Sequence, residues 1–161
     1  MNISDGFVAQ FGYNLHAFER LIHGITHEES IAPPLYGDNN FNWIVGHLVE
    51  SRNELLEVVG LAPIWTAKIQ MKYQTGSEPV SELINPGEDF DRLTADFIAT
   101  QELLVVKIAE MSEEELNQVI GDGEEKNTIA ATINGYLWHE TYHIGQLELL
   151  RPMLGKTDKI F

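Results

Sequence analysis

Apolar residues recur at three- and four-residue steps along four separate segments of this chain, and this helical spacing is what most limits its fold. The segments run from about Ser4 to His27, from about Asn42 to Val59, from about Glu88 to Met111 and from about Thr128 to Leu154. No segment shows the apolar–polar alternation of a half-buried strand. The sequence therefore predicts an all-α fold.

Capping residues support the ends of the predicted helices. Asn42 and Asn127 are suitable N-cap residues for the second and fourth helices. Gly60 and Gly155 follow the predicted ends of the same two helices, where a left-handed residue commonly terminates a helix. The sequence therefore predicts where the second and fourth helices begin and end.

The connections between the predicted helices differ in length. Residues 61–87 contain three prolines and two glycines, so we expect a loop with at most short helical pieces. Residues 112–119 are expected to add one helical turn, followed by a turn at 121–123. Four amphipathic helices can hide their apolar stripes only by packing together. We therefore predict a four-helix bundle with one long crossover connection, forming a single domain over residues 1–161.

The composition excludes several classes of function. The 161 residues include no cysteine, which excludes disulfides, Cys-ligated metals and a Cys nucleophile. The 10 Lys and Arg against 25 Asp and Glu give a formal net charge of −15, which argues against nucleic acid or an anionic membrane surface as partner. No signal peptide is evident and no apolar run reaches the ~18 residues of a membrane span, so a cytoplasmic protein is expected.

Six histidines remain as the chemically informative residues, and helical projection separates them by face. His16, His23 and His27 project about 160–200° from Phe7, opposite the apolar stripe of the first helix. We predict that these three are solvated, although His23 and His27 have a spacing that could hold a metal. His139 and His143 instead fall within the predicted apolar stripe of the fourth helix. That stripe also contains Thr132, Tyr136, Leu147, Leu150 and Leu154.

Two inward-facing imidazoles four residues apart favour a metal site. Each buried imidazole needs a polar partner, and one shared metal satisfies both, whereas two hydrogen-bonded core histidines are the alternative. His47, at the edge of the second helix's apolar stripe, is the remaining inward-facing histidine; it is either a third ligand or a boundary residue. Three imidazoles would leave positions open for water or substrate, as in catalytic metal sites.

Several polar residues lie near these histidines in the predicted helices. Glu50 and Glu54 follow His47 by one and two turns and are either pocket acids or members of a solvated face. Gln146 and Tyr136 are candidate polar contacts near the open metal positions. Arg151 is predicted to lie on the surface.

The segment from His139 to His143 also matches H-E-x-x-H, in which Glu serves as general base of a zinc peptidase. The extended peptidase pattern requires a glycine three residues after the second histidine and a further histidine. Here Gly145 falls one residue early and no histidine follows His143. Glu140 projects about 100° away from His139. We therefore interpret the match as unrelated to peptidase activity.

Two motifs in this order and spacing resemble the DinB-like (DinB/YfiT-like) superfamily. They are Trp43-Ile44-Val45-Gly46-His47-Leu48 and, 92 residues after His47, the segment from His139 to Leu147. The resemblance extends over essentially the whole chain. It implies a four-helix bundle, often a homodimer, with a divalent metal commonly reported as zinc or nickel; imidazole ligands also suit iron or copper. Carried over residue by residue, the metal ligands would be His47, His139 and His143.

The resemblance also implies an activity. Bacillithiol S-transferases and a mycothiol-dependent maleylpyruvate isomerase belong to that superfamily. A divalent metal lowers the pKa of a bound thiol or water, and a chain without cysteine would need the thiol as a cosubstrate. We therefore expect an enzyme that activates a low-molecular-weight thiol toward a small-molecule substrate. A hydrolase that activates water at the same site and a non-catalytic metal-binding homodimer are the alternatives.

Overall fold

The computed structural model describes residues 2–35, 37, 39–122 and 126–160. In chain order, its elements are α1 (Ile3–Ile22), α2 (His27–Ser30), α3 (Phe41–Val58), α4 (Ala67–Gln70), α5 (Phe90–Glu110), α6 (Glu113–Leu116), the strands β1 (Val119–Ile120) and β2 (Asn127–Thr128), α7 (Ile129–Leu150) and a 3₁₀ turn (Arg151–Leu154). The two strands pair antiparallel, Val119 with Thr128 and Ile120 with Asn127. The all-α prediction is confirmed, with this two-residue ribbon as the one sheet in the described residues.

The four long helices pack as a bundle. Both α1 and α3 pack against α5 and α7. Phe41 contacts Phe90 at the start of α3 and α5, and Arg52 contacts Gln101 further along both helices, so these two neighbours run parallel. Parallel neighbours cannot be joined by a tight turn. The segment between α3 and α5 therefore returns along the bundle, and the predicted crossover connection is confirmed.

The predicted end of the first helix is wrong by about one turn. α1 ends at Ile22, because Gly24 takes a left-handed conformation with φ of 72°. The chain then restarts as α2, where Thr26 accepts a hydrogen bond from the Glu29 backbone and caps the helix. His27 consequently belongs to α2 and does not share a helix with His16.

The predicted limits of the second and fourth helices also need correction. The N-caps are Asn40 and Thr128, whose side chains accept hydrogen bonds from backbone N–H groups in the first turns of α3 and α7. α7 ends at Leu150 and tightens into a 3₁₀ turn, since Pro152 has no N–H to continue the helix. The predicted turn after the third helix is confirmed as α6. The turn predicted at 121–123 lies partly outside the described residues.

A polar layer separates two apolar clusters inside the bundle. The Arg52 guanidinium carbon lies 3.5 Å from the centre of the Phe97 ring in one cluster and 5.8 Å from that of Phe11 in the other. Arg52 donates from Nε and Nη2 to the two Glu140 carboxylate oxygens, at 2.7 and 3.0 Å. Asn14 Nδ2 donates to the same carboxylate at 3.1 Å. These contacts tie α1, α3, α5 and α7 together at one level. No helix in the described residues has the length and apolar character needed to cross a membrane.

Candidate metal centre

Three imidazoles from two helices meet at one point beside the bundle core. His47 Nε2 on α3 lies 3.1 Å from His139 Nε2 on α7, and His143 Nε2 lies 3.0 Å from the same atom. One ring nitrogen of each histidine lies within 4.8 Å of the others. Among the described residues, no other group of three His, Asp or Glu side chains comes this close together. The structure thus brings together the three histidines that the sequence singled out.

Hydrogen bonds fix the orientation of two of these rings. His47 Nδ1 lies 2.8 Å from the Tyr73 carbonyl oxygen and must carry the proton, since a carbonyl can only accept. His143 Nδ1 lies 2.7 Å from Gln146 Oε1 and donates in the same way. The Nε2 lone pairs of both rings therefore face His139. His139 Nδ1 is buried and has no hydrogen-bond partner among the described residues.

This arrangement fits a divalent cation. A neutral His139 carries one proton, so at most one of its two close Nε2 contacts can be a hydrogen bond. The other contact then brings two nitrogens to about 3 Å without a proton between them. A cation that accepts all three lone pairs removes the conflict, and imidazole nitrogens suit zinc, nickel, iron and copper.

Burial keeps His139 and His143 in their metal-binding form. Desolvation, followed by the neighbouring His47, lowers the pKa of His139. Desolvation, together with His139 and His47, lowers the pKa of His143 to about 4. Both imidazoles are consequently neutral near pH 7, and neutral imidazole is the form that binds metals.

The crossover connection positions His47 through Tyr73. The Tyr73 hydroxyl donates to Asn42 Oδ1 at 3.1 Å and accepts from the Glu88 backbone N–H at 2.6 Å, so two hydrogen bonds hold the end of this fully buried side chain. A Cβ at position 46 would lie 2.2 Å from carbons of this ring. Gly46 therefore permits the close approach that places the Tyr73 carbonyl against His47.

A cavity of about 740 Å³ opens beside the three histidines. His47 and His139 lie in its wall, together with Glu50, Glu54 and Tyr136. The other lining residues are Ser51, Gln74, Thr75, Asn127, Ala131, Thr132 and Gly135. No fourth His, Asp or Glu of the described chain joins the cluster, so a cation there would have three protein ligands and would adjoin the cavity.

The two glutamates that the sequence left open are cavity residues. Glu50 is 5% exposed, and its Oε2 lies 3.4 Å from His47 Nδ1. Glu54 accepts a hydrogen bond from the Tyr136 hydroxyl at 3.0 Å. Burial, followed by the charge of Glu50, raises the pKa of Glu54. Burial, followed by the charge of Glu54, raises the pKa of Tyr136.

The predicted apolar stripe of the fourth helix shares Leu147 with the buried face of α7 but is otherwise wrong. The buried residues of α7 are Ile129, Ile133, Leu137, Glu140, Ile144 and Leu147. His139 and His143 lie beside this stripe and are half-buried. The prediction failed because α7 carries apolar residues on more than one side; Trp138 and Leu149 are 68% and 71% exposed.

Glu140 occupies the centre of the true buried stripe, where sequence reasoning did not place it. Its carboxylate is bound by Arg52 and Asn14 inside the bundle, so it is not available as the general base that H-E-x-x-H implies in a peptidase. Arg52 was also missed. The available signal was its position three residues after Val49 and three before Leu55, on a face that is otherwise apolar.

Of the four other residues predicted to lie on the surface, two are exposed and two are not. His16 and His23 are exposed as predicted. His27 is half-buried, and its Nδ1 accepts a hydrogen bond from the Phe90 backbone N–H at 3.3 Å. Arg151 is 3% exposed, because its guanidinium donates to the Leu21 and His23 carbonyls at the end of α1.

The bundle and its three-histidine cluster define a class of helical proteins with a candidate metal site. The chain belongs to the DinB superfamily, whose family model matches residues 10–147 and so includes all three histidines. Among solved structures, a similar one is the crystal structure of the conserved protein of locus from Enterococcus faecalis, with a TM-score of 0.76 and 14% identity over 96% of this chain and 98% of that chain. At this identity the likeness concerns the fold. Comparison with curated proteins finds no match for this sequence.

Proposed function

We propose that this chain is a metal-dependent enzyme that holds one divalent transition metal through His47, His139 and His143 and activates a low-molecular-weight thiol for transfer to a small electrophile. The convergence of three Nε2 atoms beside a cavity is the observation that supports it. When bound, the metal would supply the positive charge that lowers the pKa of a thiol in the cavity. Zinc and nickel are the proposed native metals.

The chain's own residues prepare the site for such a reaction. Tyr73 and Gln146 orient two imidazoles, so the site needs little rearrangement on binding. The three histidines are neutral ligands and leave the full charge of the cation in place. Since the chain has no cysteine, the sulfur nucleophile has to enter as a cosubstrate. The proton that the thiol loses can pass to solvent, because the site adjoins the open cavity.

A hydrolase that activates water is the second candidate. The observation in its favour is the pair of cavity carboxylates, Glu50 and Glu54, because a carboxylate near a metal can also accept a proton from water. The two candidates differ in one simple property. A hydrolase acts on its substrate without added thiol, whereas a transferase requires one.

Metal content tests the proposed ligands. We expect about one divalent ion per chain in the purified protein and loss of that ion in His47→Ala and His143→Ala, because two remaining ligands bind weakly. His16→Ala is the matched control, since His16 is an exposed histidine outside the cluster. Elemental analysis measures all four proteins. Equal metal content in all of them would contradict the proposal.

Activity requires a second experiment. Metal-loaded and chelator-treated protein are incubated with electrophiles in the presence and absence of small thiols. We expect thioether formation only with metal and thiol together. Turnover by the metal-loaded protein without thiol would favour the hydrolase.

We also propose that the chain forms a homodimer through an exposed face of α7. Trp138 and Tyr142 are 68% and 54% exposed and stack on one another with ring centres 5.8 Å apart. A groove beside Trp138 is lined by Ile3 and Phe7 of α1 and by Leu137. Exposed aromatic side chains next to an apolar groove are typical of interaction surfaces.

A further inference from the structure

An indole ring covers one face of the His47 imidazole. Trp43 lies one turn before His47 on α3, which places the two side chains on the same side of the helix. Their rings stack with centres 4.8 Å apart and an interplanar angle of 21°. Both side chains are buried. Trp43 is neither a candidate metal ligand nor a residue of the cavity wall, so its place beside His47 calls for another explanation.

The crossover connection holds this indole ring in place. The Trp43 indole N–H donates to Ser77 Oγ at 2.9 Å, and the Ser77 hydroxyl donates to the Lys72 carbonyl oxygen at 2.9 Å. The next residue, Tyr73, supplies the carbonyl that accepts a hydrogen bond from His47 Nδ1. One short stretch of the connection therefore fixes both the imidazole and the ring that stacks on it.

The hydrogen bond and the stacked ring restrain different movements of His47. An N–H···O bond fixes the direction of Nδ1 but loses little strength when the imidazole tilts about that bond. A flat ring in contact resists the tilt, because tilting opens a gap on one side and causes a clash on the other. The His139 and His143 rings meet His47 at interplanar angles of 78° and 83°, so neither replaces the stacked contact. Trp43 thus sets the plane of the His47 ring, in which the Nε2 lone pair lies.

The indole also favours the charge that a bound cation would bring. An imidazole that donates its Nε2 lone pair to a cation becomes more electron-poor. The face of an indole carries negative potential, and tryptophan attracts positive groups more strongly than the other aromatic residues do. The stacked pair therefore gains stability when His47 acts as a ligand, and an aliphatic side chain at position 43 would not provide this gain.

We propose that Trp43 is a positioning residue for metal binding, which sets the plane of the His47 ring and stabilises this imidazole as a ligand. The inference rests on the proposed metal site and adds a residue that acts only through His47. Ser77 acts one step further away, because it holds Trp43.

Three variants separate the indole face from its hydrogen bond, with cobalt(II) affinity as the measurement. Trp43→Leu removes the aromatic face and should lower the affinity about tenfold or more. Trp43→Phe keeps a ring but loses the indole N–H, and Ser77→Ala keeps the indole but loses its acceptor. Each of these two should lower the affinity about threefold. Phe90→Leu is the matched control, since it truncates a buried aromatic side chain of the same apolar cluster on α5, which packs on Phe41 and not on a histidine.

Two further readouts distinguish positioning from a general loss of stability. The visible absorption spectrum of bound cobalt depends on the geometry of its ligands. At saturating cobalt, Trp43→Leu should change this spectrum, whereas Phe90→Leu should lose stability but keep both the spectrum and the affinity. The double variant Trp43→Phe with Ser77→Ala should bind cobalt as Trp43→Phe does, because its hydrogen bond is already lost.

The outcomes separate this inference from the proposed metal site. Cobalt affinities in the Trp43 variants that equal the affinity of Phe90→Leu overturn the inference and leave the metal site in place. If Trp43→Leu does not fold, Trp43→Phe and Ser77→Ala decide the result in the same way. An unmodified chain that binds no cobalt overturns the proposed site and, with it, this inference.

Discussion

Gly46 is the residue at which the position of His47 depends most directly on side-chain size. An alanine methyl group there would lie 2.2 Å from the Tyr73 ring, whose movement would shift the carbonyl that orients His47. We expect Gly46→Ala to lower the free energy of unfolding by about 1–3 kcal/mol through overpacking. We also expect metal affinity to fall about tenfold or more, because the His47 hydrogen bond is disturbed. Urea unfolding and metal titration measure the two effects.

Gly145 provides the control for that substitution. It lies on α7 between His143 and Gln146, and a Cβ there would meet no atom within 4 Å. Gly145→Ala should therefore stabilise the protein by about 0.5–1 kcal/mol, as expected for a helix interior. Its metal affinity should equal that of the unmodified chain. Indistinguishable metal affinities for the two alanine variants would contradict the role assigned to Gly46.

Glu54 should make stability depend on pH. Its pKa is raised by burial and then by the charge of Glu50. A carboxyl whose folded-state pKa is raised contributes stability that is present below its unfolded pKa of about 4.5 and is lost as the pH rises through the folded value. Glu54→Gln has no such loss. Relative to the unmodified chain, it should therefore gain stability on going from pH 4 to pH 8.

The expected gain is small, since Glu54 is partly exposed and solvent screens its interaction with Glu50; we expect a few tenths of a kcal/mol. Urea unfolding of chelator-treated protein at several pH values measures it. Glu102→Gln shows the effect of losing an exposed charge alone. A stability difference for Glu54→Gln that is the same at every pH would refute this assignment.

The sequence identified the candidate metal ligands better than it identified their surroundings. His47, His139 and His143 could be identified because they are histidines, lie in two recognisable motifs and have a spacing typical of metal ligands. Tyr73 could not be predicted as the group that orients His47, because it lies in a long connection without periodicity, and its contact depends on the path of that connection. That His139 Nδ1 finds no hydrogen-bond partner in the described part of the chain is likewise a result of packing alone.

At the scale of helices, the Arg52–Glu140 pair fixes α3 against α7 close to the candidate metal ligands. Glu140 directly follows His139, and Arg52 lies five residues after His47. Both side chains are almost fully buried, at 2% and 4% exposure. A buried ion pair contributes little net stability compared with apolar residues, but removing one partner leaves the other charge buried without compensation.

A double-mutant cycle tests this pair. Arg52→Met and Glu140→Leu should each lower the free energy of unfolding by about 3–5 kcal/mol. The double variant should be considerably more stable than the sum of the single effects predicts, because it buries no unpaired charge. Urea unfolding of the four proteins measures the coupling. Strictly additive losses would mean that the two side chains stabilise the bundle independently.

The buried face of a helix could be predicted where the apolar residues lie on one side of the helix. It could not be predicted where apolar residues lie on two sides. In α5, apolar residues recur at three- and four-residue steps on one side, and the buried residues include Phe90, Leu93, Phe97, Leu104 and Ile108. In α7, apolar residues occur on both the buried and the exposed faces, so projection alone could not choose between them. The buried polar layer could not be found from hydrophobicity at all, because Arg52 and Glu140 are charged residues in core positions.

At the scale of the whole molecule, the order of the helices explains how the site is assembled. Since α3 and α5 run parallel, the connection between them has to return along the bundle, and this return path brings Tyr73 to His47. Placing α3 beside α7 then brings His47 to His139 and Glu54 to Tyr136. The candidate metal centre and the acidic cavity are therefore consequences of the same topology.

The net charge of −15 should control association of the proposed homodimer. Two such chains repel one another, and salt screens the repulsion while leaving apolar contacts intact. We therefore expect the dimer dissociation constant, measured by light scattering or sedimentation, to fall as salt rises from roughly 0.05 to roughly 0.5 M.

Trp138→Glu should give a monomer, because it removes an exposed ring and adds charge to the proposed interface. Leu83→Glu adds the same charge at a side chain that is 95% exposed in the crossover connection, and it should still dimerise. A monomeric unmodified chain at every salt concentration, or equal behaviour of the two variants, would show that this face of α7 does not mediate dimerisation.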